Sequence, residues 1–309
     1  MNDCYIMLQY FAYGANLNKD RFIERCPSGK LISVATLEKY ELVFNKKNRR
    51  RFDLGFANII PSNNSHVEGI LYKISEDDFI SLDRYEGYPE DYDKQIFQIR
   101  KKDGESLAWV YTAKKTVNGL LPAKNYLDNI IDCKLLSDDY KKKVKSVFNF
   151  LQWFKRSKKI YDPFHKFEDL WKSFNGYASV VFKPVAKKEN PGVFISENLI
   201  IKTIKKSEKI INIYKELLEN QDFNNALKAF RKTIHKDEGY YIIRMDNGNK
   251  VKFNDINNFG QFIQNIYQIR CNIIHGEKIP YGTNDQKIVE AAYEVLEKFL
   301  IRLFEPCIQ

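Results

Sequence analysis

The stretch MLQYFAYGANL, residues 7–17, combines a strand-forming run with a turn that ends it. Aromatic and apolar residues crowd Met7 to Tyr13, which predicts a β-strand, and Gly14 stops that strand. The turn that follows, Gly14 to Leu17, is small enough to leave successive backbone N–H groups exposed. Such a turn can hold a carboxylate or an oxyanion, so it is a candidate binding site.

Alternating strands and two helices follow this turn. The sequence predicts strands over 31–44, 56–60 and 67–74, a hairpin made of 95–100 and 107–112, and a helix over 122–131 with Pro122 in its first turn. A basic run, NKKNRRR at residues 45–51, lies between the first two strands, where it is either a solvated loop or a phosphate contact.

A short helix before the hairpin presents the main candidate for acid–base chemistry. Ser75 is the expected N-cap of this helix, and Asp78 is expected to complete a capping box. The helix leads into DRYEGYP, residues 83–89, where tyrosines, glycine and proline surround Glu86. Partial desolvation there would raise the pKa of the glutamate toward the range that suits a general acid or base.

The order of these segments resembles the gamma-glutamylcyclotransferase fold over roughly residues 1–140. The segments are the first strand, the YGAN turn, LDRYEGY, the hairpin, and Pro122-Ala123 followed by Tyr126. The resemblance implies a compact mixed barrel whose glutamate shuttles protons while the α-amine of a gamma-glutamyl compound attacks its γ-carbonyl and releases 5-oxoproline. It implies that Glu86 is this acid/base, that Tyr126 closes the pocket, and that the substrate-binding turn is made of Tyr13, Gly14, Ala15, Asn16 and Leu17.

The second half of the chain predicts a helical bundle. Helical segments are expected over 138–153, 164–182, 200–218 and 224–235, before Gly276 and over 289–303, with a small hairpin over 239–253 that turns at 246–248. The expected division is therefore a barrel domain at 1–153, a basic linker at 154–163 and a helical domain at 164–309. The expected fold class is α+β, a mixed barrel followed by an all-α bundle.

A charged residue interrupts the apolar stripe of the helix that ends near Gly276. Arg270 lies in that stripe and is expected to face a polar cleft, a partner subunit or an anion, because an unpaired guanidinium is costly to bury. With His275 at the helix end, RCNIIHG resembles the R-x4-6-H motif of HEPN ribonucleases. The resemblance implies metal-free RNA cleavage by Arg270 and His275, with Asn272 as a substrate contact, in a homodimer formed by the helical domain. Cys271 stands where that family often has a polar residue such as Asn.

Composition narrows the classes of function and location that fit the chain. The 309 residues carry a formal net charge of +10, which fits either an acidic partner such as RNA or a solvated lysine-rich surface. Five cysteines without a C-x-x-C pair favour a reducing cytoplasm. The sequence has no run of about 20 apolar residues, which is what would predict a membrane span. Scattered histidines without neighbouring ligands indicate no metal site, and no cofactor motif is present.

Three functions remain open from the sequence. The first is a two-domain HEPN ribonuclease, of the toxin or phage-defence type, whose barrel senses or processes a gamma-glutamyl small molecule or peptide. The alternative is a gamma-glutamylcyclotransferase whose helical domain serves dimerisation or nucleotide or RNA binding. In the third, the helical domain holds RNA without cutting it.

Overall fold

The computed structural model describes residues 7–48, 51, 53–236, 239–244, 248–275 and 282–308. The chain divides into two compact units, the first built from residues up to 148 and the second from residues 149–306. Helix α4, Asp138–Ser157, runs from one unit into the other without a break. The predicted linker 154–163 therefore contains the last turn of α4 and the five residues before the next helix begins at Pro163.

Five strands of the first unit close into a barrel. They are β1 (Met7–Ala12), β2 (Lys30–Lys47), β3 (Gly55–Ser75), β4 (Tyr92–Lys101) and β5 (Gly104–Ala113), in the order β1-β3-β2-β4-β5. β1 and β5 pair in parallel and the other neighbouring pairs are antiparallel, so the barrel is mixed, as the sequence predicts. Apolar side chains fill its core, among them the fully buried Phe11, Val67, Leu71, Ile99 and Val110.

One strand prediction is wrong: the strands expected at 56–60 and 67–74 are parts of the single long strand β3. Pro61 and the polar residues after it interrupt the apolar alternation, but backbone pairing with β2 continues through Tyr40 and Pro61. The long β2–β3 ladder shifts register at three places, and Lys39 lies at one of them with φ +62°. Such bulges bend a long hairpin, which allows it to wrap around a small barrel.

The first unit also contains short helices. They are a 3-10 turn (Ala15–Leu17), α1 (Lys19–Arg25), α2 (Glu76–Glu86) and α3 (Lys124–Ile131). Ser75 caps α2 as predicted, but the Asp78 carboxylate accepts a hydrogen bond from the Ser28 amide at 2.9 Å and does not complete a capping box. Pro122 precedes the Ala123 cap of α3 and is not in its first turn. The sequence patterns did not predict α1.

The second unit is mainly helical. After α4 it contains α5 (Pro163–Val181), α6 (Lys183–Glu189), α7 (Glu197–Ile204), α8 (Glu208–Leu218), α9 (Gln221–Thr233), α10 (Phe259–Ile274) and α11 (Thr283–Ile308). A small sheet of β6 (His235–Lys236), β7 (Gly239–Ile243) and β8 (Lys250–Lys252) contains the predicted hairpin, so the unit is not all-α; residues 246–247 of the expected turn lie outside the described residues. Phe223, Phe262 and Phe299 pack around Tyr214 in its core. None of the helices described is long and apolar enough to cross a membrane.

Candidate active site in the barrel

The turn after β1 approaches other parts of the barrel very closely. Gly14 caps the 3-10 turn, and the Leu17 amide donates to the Gly14 carbonyl at 3.0 Å. A Cβ at Gly14 would lie 3.0 Å from the Tyr126 hydroxyl and 3.2 Å from Ala57 Cβ. A Cβ at this position would therefore need Tyr126 or Ala57 to move by a few tenths of an ångström.

Glu86 is the last residue of α2, and the helix ends immediately after it. Gly87 has φ +69°, in the left-handed region that favours glycine, and the Tyr88 amide donates back to the Asp83 carbonyl at 2.9 Å. This reversal ends α2 at the edge of the cavity, where Glu86 is one of the lining residues. A carboxylate at a helix C-terminus also lies at the negative end of the helix dipole, which disfavours its ionised form.

Asn16 connects Glu86 to two further side chains. Its Nδ2 donates to the Tyr10 hydroxyl at 2.8 Å and lies 3.4 Å from Glu86 Oε1. Its Oδ1 accepts a hydrogen bond from Arg25, whose guanidinium lies over the Tyr85 ring at 3.5 Å and donates to the Tyr85 hydroxyl. The turn and the glutamate are thus held in one hydrogen-bonded group.

The carboxyl of Glu86 is tuned to exchange protons near neutral pH. Burial raises the pKa of Glu86 from 4.5 to about 7, and the nearby Arg25 and the hydrogen bond from Asn16 only partly oppose that rise. A carboxyl with this pKa is present in both protonation states at pH 7. It can therefore accept a proton in one step of a reaction and return it in the next.

Tyrosines form most of the aromatic wall. Burial raises the pKa of Tyr10, Tyr13, Tyr92, Tyr111 and Tyr126, so their hydroxyls stay protonated at neutral pH. Several are fixed by the backbone: Tyr13 donates to the Tyr111 carbonyl at 2.6 Å, and Tyr92 donates to the Ala57 carbonyl at 3.1 Å. The Tyr126 hydroxyl accepts from the Ala57 amide at 3.1 Å.

Together these groups enclose a cavity of about 470 Å³, a size that suits a small-molecule site. Six of the residues predicted for the barrel site line it: Tyr13, Gly14, Ala15, Asn16, Glu86 and Tyr126. Leu17, also predicted to bind substrate, is only 3% exposed and packs into the core instead.

Other lining residues were missed from the sequence. The sequence pattern predicts that Tyr10 is an ordinary strand residue and that Lys46 belongs to a basic loop. Lys46 is in fact buried, with its ammonium 2.9 Å from the Asp91 carboxylate, and both residues line the cavity. Only the pairing of distant segments reveals this ion pair. Tyr10, three positions before Tyr13, carries no distinctive signal as a tyrosine within a strand.

Most of the first unit matches a known protein family. Residues 10–128 match the family model described as "Gamma-glutamyl cyclotransferase, AIG2-like". The first unit carries a gamma-glutamyl cyclotransferase-like domain. The chain is 37% identical over 81 residues to gamma-glutamylcyclotransferase of Bos taurus and 36% identical over 81 residues to that of Homo sapiens. Each match covers 25% of this chain and 43% of the relative, so the chain spans less than half the length of these curated relatives.

A solved structure named "Gamma-glutamyl cyclotransferase" is also similar. It shares 25% sequence identity with this chain, with a TM-score of 0.41, over 45% of this chain and 87% of the other. The family match ends at residue 128, so it leaves the helical unit outside.

The residues predicted for RNA cleavage lie in the helical unit, where Arg270 and His275 have different described surroundings. Arg270 is 3.0 Å from the Glu197 carboxylate, and its side chain is 25% exposed. His275 is exposed and lines a cavity of about 200 Å³ together with Cys271 and Asn272, but Arg270 is not among the residues that line it. Gly276, the expected helix stop, lies outside the described residues.

Asn272, predicted to contact substrate, is buried and serves the structure of its unit. Its Nδ2 donates to the Ile243 carbonyl at 2.9 Å, and its Oδ1 accepts from Gln268 at 2.8 Å. Across the part of the chain that the structure describes, no three His, Cys, Asp or Glu side chains come together as a metal site would require.

Proposed function

We propose that the first unit is a gamma-glutamylcyclotransferase, which converts a gamma-glutamyl compound into 5-oxoproline and a free amine. The observation that carries the proposal is Glu86, a carboxyl with a pKa of about 7 beside the Gly14–Asn16 turn in a cavity of about 470 Å³. The match of residues 10–128 to the gamma-glutamyl cyclotransferase family supports the same assignment.

The proposed reaction needs one proton carrier and no water. The uncharged α-amine attacks the γ-carbonyl carbon, and Glu86 accepts a proton from that nitrogen as the new carbon–nitrogen bond forms. The old carbon–nitrogen bond then breaks, its electron pair leaves with the amine, and Glu86 returns the proton to the departing nitrogen. Because the same group acts first as base and then as acid, a pKa near 7 suits both steps.

The turn at Ala15–Leu17 complements Glu86 by stabilising charge on the substrate. Ala15 and Asn16 are the first residues of the 3-10 turn, where a helix has no carbonyl of its own to accept their amide hydrogens, and the Ala15 amide faces the Tyr126 hydroxyl. Amides held in such a turn stabilise the negative charge that develops on the γ-carbonyl oxygen. Gly14 allows Tyr126 to pack directly against the turn, which fixes its position next to Glu86.

The test uses the purified chain and a panel of gamma-glutamyl amino acids, amines and dipeptides, with 5-oxoproline detected by mass spectrometry. The wild type is expected to release 5-oxoproline from at least one member. Glu86→Gln is expected to lose at least a hundredfold in rate, as removal of a general acid–base group does. Glu76→Gln, on the first turn of the same helix, is the matched control and should keep the wild-type rate. The proposal is refuted if no member of the panel releases 5-oxoproline, or if Glu86→Gln and the wild type have equal rates.

RNA cleavage by the helical unit is not part of this proposal. Of its two predicted catalytic residues, Arg270 is paired with Glu197 and His275 is exposed at the end of α10, and RNA cleavage stays a prediction from the sequence. Dimerisation, RNA binding and a cytoplasmic location stay predictions from the sequence.

A further inference from the structure

A polar cavity of about 200 Å³ in the helical unit is lined by side chains of α7 and α10. Four of its described lining residues carry a carboxamide, and none of them carries a carboxylate. The four are Asn198 of α7 and Gln264, Gln268 and Asn272 of α10. Because a carboxamide has both a donor and an acceptor, these walls suit a ligand that carries both kinds of group.

One hydrogen-bond acceptor in this cavity is fixed by its neighbours. The Ile243 carbonyl can only accept, so the Asn272 amide nitrogen donates to it, at 2.9 Å. Asn272 Oδ1 then accepts from Gln268 Nε2 at 2.8 Å, which leaves Gln268 Oε1 as the end of this chain of hydrogen bonds. Gln268 is only 5% exposed, yet no described residue donates to its Oε1. A buried oxygen without a donor is costly, so this atom favours a ligand that donates to it.

A hydrogen-bond donor lies one helical turn before this acceptor. The Lys205 ammonium can only donate, and it donates to Gln264 Oε1, so Gln264 presents its Nε2 hydrogens. No described residue accepts from that Nε2. Positions four apart on a helix are neighbours on its surface, so the donor of Gln264 and the acceptor of Gln268 lie side by side. Tyr267 adds an aromatic ring to the same lining.

Lysines line an adjoining cavity of about 690 Å³. Its lining includes Lys202, Lys205 and Lys206 of α7 and the segment after it, together with one carboxylate, Glu189. Among the described residues, none of these three lysines forms an ion pair. Burial and the neighbouring charge of Lys202 lower the pKa of Lys205, and a bound anion would relieve both effects. The hydrogen bond from Lys205 to Gln264 joins this cavity to the first one.

We propose that the two cavities form one nucleotide-binding site, with the nucleobase in the carboxamide cavity and the phosphate groups on Lys202, Lys205 and Lys206. Nucleobases carry donors beside acceptors on their edges, and carboxamides bind such edges with two hydrogen bonds, as Gln264 and Gln268 are placed to do. Lysine binds phosphate as a point charge, so several lysines suit a chain of phosphates. The ligand is a free nucleotide or a nucleotide within single-stranded RNA. The proposal is independent of the cyclotransferase reaction.

The test measures dissociation constants of the full chain by isothermal titration calorimetry. The ligands are the four ribonucleoside triphosphates and a single-stranded RNA pentanucleotide, each compared with a counterpart that lacks the base: inorganic triphosphate and an abasic pentanucleotide. For the wild type, at least one base-bearing ligand is expected to bind about tenfold more tightly than its base-free counterpart, as a pair of hydrogen bonds to a base edge provides. The pair of ligands that shows this difference identifies the source of the nucleotide.

Two variants separate the base from the phosphates. Gln264→Glu keeps an acceptor for Lys205 but removes the donor next to Gln268 Oε1. The ratio of the two dissociation constants, base-free to base-bearing, is expected to fall close to one, since the added charge affects both ligands. Lys202→Gln/Lys206→Gln is expected to weaken both ligands about tenfold and to keep the wild-type ratio.

The matched control is Lys228→Gln/Lys232→Gln, which removes the same charge from exposed positions on α9 and should keep the wild-type dissociation constants. Melting temperatures equal to that of the wild type establish that the variants are folded. The proposal is overturned if no base-bearing ligand binds the wild type more tightly than its counterpart, or if Gln264→Glu keeps the wild-type ratio. It is also overturned if the two lysine double variants bind equally well. None of these outcomes affects the proposed cyclotransferase activity.

Discussion

The raised pKa of Glu86 has a consequence for stability that can be measured without any substrate. The pKa of Glu86 rises from 4.5 to about 7 on folding because burial disfavours the ionised carboxylate. A group whose pKa is higher in the folded state stabilises that state below the unfolded pKa, and this contribution is lost as the pH rises through the folded pKa. Glu86→Gln stays neutral at every pH and therefore avoids that loss.

The magnitude follows from the size of the shift. A rise from 4.5 to about 7 corresponds to about 3 kcal/mol between acid and alkaline solution. Because Glu86 is only half-buried, solvent screens part of this, and we expect Glu86→Gln to be about 1–3 kcal/mol more stable than the wild type at pH 8.5. At pH 4 the two proteins should be equally stable. For a unit of this size the gain corresponds to about 2–10 °C in the melting temperature of the first unit.

The assay is urea unfolding of the tyrosine-rich first unit. It is repeated at intervals of half a pH unit from pH 4 to pH 9. The informative quantity is the difference in the free energy of unfolding between the variant and the wild type, since other titrating groups cancel in it. Glu76→Gln, with its side chain on the exposed first turn of α2, is the control and should show a difference that stays constant above pH 6. A pH-independent difference for Glu86→Gln, or a wild type that is more stable than the variant at pH 8.5, would refute the reasoning.

Three further predictions concern packing around the site and in the helical unit. Gly14→Ala is expected to reduce 5-oxoproline release at least tenfold, because its Cβ would lie 3.0 Å from the Tyr126 hydroxyl. Adding Tyr126→Phe should recover part of the rate by removing that oxygen. If the rate does not recover, the cause is not steric. Asp91→Asn leaves a buried lysine without its carboxylate partner and is expected to cost about 3–5 kcal/mol in the free energy of unfolding, measured by urea titration; a loss below about 1 kcal/mol would mean that the pair is well solvated. Arg270→Ala is expected to lower the melting temperature of the second unit by a few degrees. Adding Glu197→Gln should restore part of that loss, because it removes the carboxylate that has lost its cation. A purely catalytic arginine would not show this recovery.

The active-site core was predictable because its signals are local. Gly14 follows the end of a strand and Gly87 ends a helix, and each has a functional residue within two positions of it, Asn16 in one case and Glu86 in the other. Such signals depend on residues a few positions apart, and their order along the chain carries the family resemblance that implies the barrel and the binding turn. Leu17 was assigned to the binding turn because it is adjacent in sequence, although the 3-10 conformation directs it into the core.

The remaining parts depend on contacts between distant segments. Lys46 and Asp91 are 45 residues apart and come together only when β2 and β4 close the barrel, and Arg21 reaches Asn129 across 108 residues. In the helical unit, the stripe containing Arg270 correctly indicated that the guanidinium needs a polar partner. The pattern could not show that this partner is Glu197, at the start of another helix, instead of an RNA phosphate.

The most direct test of the central claim is the pH dependence of 5-oxoproline release from bound gamma-glutamyl-alanine in single-turnover experiments between pH 5 and pH 9. If Glu86 carries the proton, the wild-type rate rises through an apparent pKa near 7, and Glu86→Gln shows neither that inflection nor more than about one hundredth of the wild-type rate at neutral pH. The same inflection and rate in Glu86→Gln would show that another group moves the proton and would contradict the account.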